Sequence, residues 1–126
     1  TDATVLALGA VMLGEALLAA EALKNQGISV RVVDLVSVKP IDRELIVRCA
    51  GETGAIVTAE NHFTIGGVSS AVSEVLTESG IGIPYANVGV RDSFGEVGQV
   101  DYLLERFEMT HGHIAEKVRK VVSAKQ

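Results

Sequence analysis

Glu60-Asn61-His62 is a cluster of three polar side chains, and a glycine pair, Gly66-Gly67, follows it. The apolar run Ala55 to Ala59 before the cluster reads as a short strand. Val68, Ala71, Val72, Val75 and Leu76 after it recur at helical spacing. The order is strand, polar loop, glycine turn, helix, and in parallel α/β sheets binding and chemistry collect at such carboxyl ends of strands. The helix beginning near Gly67 offers free N–H groups and partial positive charge that can hold an anion. His62 could donate to that anion, with Glu60 orienting the imidazole. In the plainer reading Glu60 and His62 satisfy backbone groups of the loop or meet a partner subunit. With no matching nucleophile or metal-ligand set, the plainer reading stands first, and no catalytic residue is assigned.

Three other groupings bear on chemistry. Asp92-Ser-Phe-Gly-Glu96 is a polar turn after a fourth strand, on the same edge as Glu60. Its two carboxylates could act as acid and base, but a loop that caps a helix and meets a neighbour accounts for them more simply. Gly9-Ala-Val-Met-Leu-Gly14 fails the dinucleotide spacing, because Val11 stands where a second glycine belongs, and it lacks a Gly-Lys-Ser/Thr ending. His111-Gly-His113 has no third ligand nearby, whereas zinc is held by three or four. No metal site is assigned.

Alternating elements must position these groups. Thr4 to Leu8 reads as a buried strand and Val11 to Gln26 as a helix ending at Gly27. Ile28 to Val36 is a second strand, and Lys39-Pro40 breaks the chain. Asp42 is placed to cap a helix that runs to about Thr53. Ala55 to Ala59 is the third strand, with a helix ending near Gly80. Pro84 to Val90 is the fourth strand, and two helical patterns close the chain, the last capped by Thr110. Four strand–helix alternations predict a three-layer α/β/α domain over 1–126 with a mainly parallel sheet. Strand order 2-1-3-4 opens a crevice between strands 1 and 3, walled by Gly9 to Leu13 and by Glu60 to Gly67.

Composition narrows the function classes. A chain of 126 residues suffices for one domain. Apolar residues are 48 %, but aromatics only 4 %, so the core must be aliphatic. A net charge of −5 without a basic face argues against a nucleic-acid surface. No apolar run is long enough for a membrane span. Cys49, the only cysteine, falls on an apolar helical stripe and reads as a small buried hydrophobe. A cytoplasmic home is the simple inference. The chain opens without Met and enters a strand at once, as an excised or processed domain would.

From Thr4 to Val122 the chain resembles the C-terminal domain of transketolases. The resemblance is carried by Gly9 with Glu15-Ala16-Leu17, by Val33-Asp34-Leu35 with Lys39-Pro40-Ile41-Asp42, by Glu60-Asn61-His62 with Gly66-Gly67, and by Val90-Arg91-Asp92-Ser93-Phe94-Gly95-Glu96. The same domain ends deoxyxylulose-phosphate synthases and the β subunits of 2-oxoacid dehydrogenases, which usually show Glu-Glu-Gly where this chain has Glu60-Asn61-His62. Its final segment is similar to that of transketolases encoded as two polypeptides. The resemblance implies a parent enzyme that moves a two-carbon ketol unit between sugar phosphates with thiamine diphosphate and a divalent metal. In the family that cofactor lies between two other domains, so the resemblance implies no cofactor in this chain. It implies partnership with those domains in a homodimeric parent of the pentose phosphate pathway. The family's sheet carries one further antiparallel strand ahead of this chain's first, and its absence would leave an open edge or an apolar patch. Rival readings are an autonomous module that holds a small anion or regulator in the crevice, and the C-terminal domain of a deoxyxylulose-phosphate synthase or of a 2-oxoacid dehydrogenase β subunit, the last of which would help dock an acyltransferase.

Overall fold

Alternating side chains on the central strands hold the two sides of the molecule together. A computed structural model describes residues 1–125. Its elements are β1 (Ala3–Leu8), α1 (Ala10–Lys24), β2 (Val30–Asp34), α2 (Arg43–Thr53), β3 (Ile56–Phe63), α3 (Val68–Glu78), β4 (Tyr85–Val90), α4 (Val100–Arg106) and α5 (His111–Ser123). The four strands form one sheet in the order β2-β1-β3-β4, and every pair is parallel. This is the expected α/β/α architecture and strand order.

Successive strand residues point to opposite faces. Val5 and Ala7 of β1 and Val57 and Ala59 of β3 meet α1 and α5 through Met12, Ala16, Leu23, Ile114 and Val118. Leu6 and Ile56 enter a second core with Ile46 of α2 and with Val68, Val72 and Val75 of α3. Small residues dominate the first sheet face, which lets two helices lie close to it. The core is aliphatic, as the shortage of aromatics requires, and Cys49 is fully buried beside it.

The expected caps are present. Asp42 accepts the Leu45 N–H at 3.0 Å, and α2 ends at Gly54 in the left-handed conformation. Thr110 caps α5 by accepting from His113 N, and the His113 ring reaches back to the Thr110 backbone.

One boundary needs correction. The third strand does not stop at Ala59: it continues to Phe63, so Glu60, Asn61 and His62 are strand residues rather than loop residues. Backbone pairing carries it on. Leu8 is the register partner of Glu60, and Thr64 N donates to Val90 O at 3.0 Å. The pairing with β4 slips between Ala59 and Phe63, which bends the strand end where the polar residues sit.

At the opposite edge of the sheet Lys125 closes the molecule. Its Nζ donates to Asp2 O at 2.6 Å and to Thr53 O at 3.0 Å. The second contact puts a cation on the carbonyl end of α2, which has no basic residue in its last turn. Lys125→Met keeps the stem and deletes both bonds. It should lower stability by about 1.5–3 kcal/mol, the range for hydrogen bonds to a charged donor. Urea denaturation of both proteins checks this, and an unchanged midpoint would remove Lys125 from the fold's supports.

Candidate functional site

Helix α3 begins without a cap of its own. Its N-cap is Gly67, which has no side chain to accept from the first turn. The acceptor comes instead from β3. Glu60 Oε1 accepts from Val68 N at 2.9 Å and Oε2 from Ser69 N at 2.8 Å, so both oxygens are bonded to the helix N-terminus. The residue is only 1 % exposed. A strand carboxylate therefore occupies the place where an external anion would sit.

Two glycines make room for it. A Cβ on Gly67 would lie 2.0 Å from Glu60 Oε1 and 2.5 Å from the Phe63 carbonyl. A Cβ on Gly89 would lie 2.8 Å from Thr64 Cγ2, 2.9 Å from His62 O and 3.0 Å from Glu60 Cγ. No larger residue fits either position while the glutamate stays. Burial raises the Glu60 pKa above its ordinary value near 4.5; the N–H groups of Ser69 and Val68, and then His62, pull against it. Desolvation of the charge is the larger effect.

The same first turn anchors a polar network absent from the sequence expectations. Ser69 Oγ lies 2.7 Å from Tyr85 Oη and accepts from Asn87 Nδ2 at 2.7 Å, and Tyr85 Oη lies 3.0 Å from Thr58 Oγ1. Thr58 and Glu60 alternate along β3, and Tyr85 and Asn87 along β4. Polar residues two apart in adjacent strands were the available signal that one sheet face is polar there.

Asn61 and His62 turn outward from the strand end. His62 Nδ1 donates to the Phe63 carbonyl at 3.0 Å and lies 3.9 Å from Glu60 Oε1. With its side chain 65 % exposed, the ring is at the surface and not in the slot that holds Glu60. Asn61, His62 and Phe63 form one side of a pocket of about 380 Å³. Val11 at the start of α1 joins them, so the two expected crevice walls do face one pocket. The remaining lining comes from α4 and flanking residues, including Val100, Leu104 and Met109, and it is mostly apolar.

The other predicted residues lie in separate settings. Gly66 N donates to Ser70 Oγ at 2.8 Å inside the turn. Asp92 is exposed in the bend after β4. Glu96 accepts from Tyr102 Oη at 2.5 Å and pairs with Arg106 Nε at 3.0 Å, which ties the loop to α4. That contact with Glu96 raises the Tyr102 pKa. His111 bonds Glu15 of α1 through its backbone N–H and its ring, and His113 belongs to the cap of α5. Among the described residues no three His, Cys, Asp or Glu side chains gather in a way that could hold a metal. The carboxyl edge thus has one buried carboxylate committed to a helix, one exposed imidazole and an apolar pocket.

Comparison with known proteins agrees with this architecture. Residues 1–114 match the family described as transketolase, C-terminal domain. The chain belongs to that family. It is 49 % identical over 124 residues to a 6-deoxy-6-sulfo-D-fructose transketolase subunit of Clostridium sp. (strain MSTE9), covering 98 % of this chain and 38 % of that one. It is 39 % identical over 124 residues to a 1-deoxy-D-xylulose-5-phosphate synthase of Heliobacterium modesticaldum, covering 98 % of this chain and 19 % of that one. A split-gene transketolase solved as an inactive β4 tetramer superimposes with a TM-score of 0.92 at 49 % identity, over 99 % of this chain and 40 % of that one. The chain therefore spans two fifths or less of the length of these relatives.

Glu60→Gln retains the shape but presents an amide N–H₂ to one of the two backbone donors. It should cost about 1–3 kcal/mol, the penalty for a buried donor left without an acceptor. The effect depends on pH in a definite direction. The folded-state pKa lies above the unfolded value, so the stabilisation from proton binding is complete below about pH 4.5 and is lost as pH rises through the folded pKa. The glutamine variant does not titrate there. The stability gap between the two proteins should narrow from about pH 4.5 toward neutrality, and a gap that widens would contradict the burial argument. Gly67→Ala should destabilise more than Glu60→Gln, because it displaces the carboxylate and also meets the Phe63 carbonyl.

Proposed function

We propose that this chain is the C-terminal part of a transketolase and that it serves as a structural, dimer-supporting domain. The parent would transfer a two-carbon ketol unit between sugar phosphates, or between related anionic sugars such as the sulfonated ketose named for the Clostridium relative. In this reading the parent is a homodimer, cytoplasmic, and works in the pentose phosphate pathway.

The observation that carries the reading is the 49 % identity to a transketolase subunit over nearly the whole chain. The likeness to a split-gene transketolase whose β4 tetramer is inactive supports a need for a second polypeptide. The geometry points the same way. Transketolases as a family use thiamine diphosphate and a divalent metal, and among the described residues no three His, Cys, Asp or Glu side chains gather to hold the metal. The N-terminus of α3, which could bind a diphosphate, is filled by Glu60. The carboxylates Glu15 and Glu96 are paired with His111 and Arg106. The cofactor would be held by domains outside this chain, and no step of the reaction is assigned to its side chains.

The deoxyxylulose-phosphate synthase relative, at 39 % identity, keeps a second parent reaction in view. The two parents would be told apart by the product they form.

Isothermal titration of the isolated chain with thiamine diphosphate and magnesium should show no binding at millimolar concentration. Mixed with the polypeptide that supplies the cofactor domains, the chain should restore transfer from a ketose phosphate to an aldose phosphate. Cofactor binding by the chain alone would refute the structural role. Formation of 1-deoxy-D-xylulose 5-phosphate in place of ketol transfer would move the parent to the synthase class.

A further inference from the structure

Residues 91–99 run from β4 to α4 without helix or strand, and every one of them is exposed. Among the described residues, Glu96 alone ties 92–98 by side-chain hydrogen bonds or ion pairs to the chain beyond Arg91. Its Oε1 accepts from Tyr102 Oη at 2.5 Å, and its Oε2 meets Arg106 Nε at 3.0 Å. Two residues before this clasp, Phe94 stands wholly in solvent, at 98 % exposure. Gly95 and Glu96, which follow it, line the 380 Å³ pocket, and the apolar wall of that pocket includes Val11, Val100, Leu103, Leu104, Phe107 and Met109. Successive Cα atoms are about 3.8 Å apart, so the ring is carried by the neighbour of a lining residue. A phenyl ring in water beside an apolar hole leaves two apolar surfaces hydrated, and seating the ring inside removes both from water.

Gly95 points to movement. A Cβ there would meet nothing within 4 Å, and its φ is not positive. The arrangement as it stands therefore does not require glycine at 95; what glycine adds is backbone freedom to adopt another one. Gly98 is different. A Cβ there would lie 2.8 Å from Tyr102 Cδ1, so this glycine seats the far end of the segment against α4.

We propose that residues 93–97 form a strap that turns at Gly95 and closes the pocket with the Phe94 ring, and that the Glu96 contacts to Tyr102 and Arg106 hold the strap open. The clasp lies at the surface, with the Arg106 and Glu96 side chains 50 % and 39 % exposed. An ion pair so placed is weak and screened by salt, while the closed form gains the burial of an aromatic ring. Two opposed contributions of this kind give two states whose populations a small change can reverse. Closed, the strap fills the pocket; open, it leaves ring and pocket exposed together. The device does not depend on which reaction the parent performs.

The chain contains no Trp, so Phe94→Trp supplies a single indole reporter. With the clasp intact, its emission should be that of an indole in water, freely quenched by acrylamide. Glu96→Ala in that background removes both contacts. The emission should then move to the blue and the quenching constant fall at least about threefold, as a mostly closed population requires. Tyr102→Phe in place of Glu96→Ala removes one contact and should give an intermediate value. Val100→Glu puts a charge in the pocket wall and should abolish the shift. The shift should be the same at every protein concentration, because burial within one chain is not governed by mass action. Phe94, Glu96, Tyr102 and Val100 are all exposed, so circular dichroism should be unchanged throughout, which separates loss of folding from loss of closure. Quenching left unchanged by Glu96→Ala in a folded protein overturns the proposal. So does a shift that survives Val100→Glu, or one that grows with protein concentration and so buries the ring between chains. Failure to restore ketol transfer with the cofactor domains would refute the enzyme reading and leave these emission changes as they are.

Discussion

The two hydrogen bonds from Val68 N and Ser69 N to the Glu60 carboxylate are the constraint on which the carboxyl edge depends. They join the end of β3 directly to the first turn of α3. A carboxylate this buried is costly unless its oxygens are matched, and a helix N-terminus matches them with oriented donors and a partial positive charge. The arrangement needs glycine at 67 and at 89, because a side chain at either place would occupy the glutamate's volume. It also sets the direction of its neighbours. With Glu60 turned inward, strand alternation turns Asn61 outward toward the pocket, and the slip in pairing before Phe63 leaves His62 at the surface as well.

The same contact decides between two chemical readings of one motif. A strand end followed by Gly-Gly and a helix is the arrangement that binds phosphates in many α/β proteins. Here an internal anion fills it. The N–H groups that could hold a ligand instead hold the chain, and the site contributes rigidity in place of recognition. Ser69 extends that rigidity sideways through Tyr85, Thr58 and Asn87. Among the described residues every buried side-chain nitrogen and oxygen has a partner.

The architecture was legible in the sequence because hydrophobic period and capping chemistry act locally. Val5 and Leu6 on β1, the stripe of Ala16 and Leu23 on α1, and the caps Asp42 and Thr110 all announce their roles within a few residues. The strand order followed from the rules that govern parallel sheets. The candidate site was legible only in part. Glu60, His62 and Gly67 could be singled out, but polar residues at a strand end look like a loop, and nothing local says that a helix eight residues on supplies the acceptor's donors. The Ser69 network was hidden for a related reason. It requires the cross-strand register that sets Thr58 beside Asn87, a pairing of residues far apart in the chain.

The two ends of the sheet are finished differently, and the difference bears on what the domain does. At the amino edge the chain closes on itself: Lys125 ties Asp2 to the end of α2, and Thr53 hydroxyl bonds knit Thr4 to the same turn. At the carboxyl edge Glu60 is withdrawn into the fold, His62 and Asp92 stay at the surface, and apolar side chains stand beside them, Phe94 and Val97 entirely in solvent. Solvent-facing edges of α/β sheets that carry out chemistry place polar and titratable groups there. This edge commits Glu60 to a helix cap and Glu96 to an ion pair, leaves Asp92 and His62 in solvent, and presents aliphatic and aromatic surface beside them. The two ends thus differ in kind: one is tied shut by Lys125 and Thr53, and the other combines a helix cap buried inside the fold with an exposed aromatic and aliphatic surface.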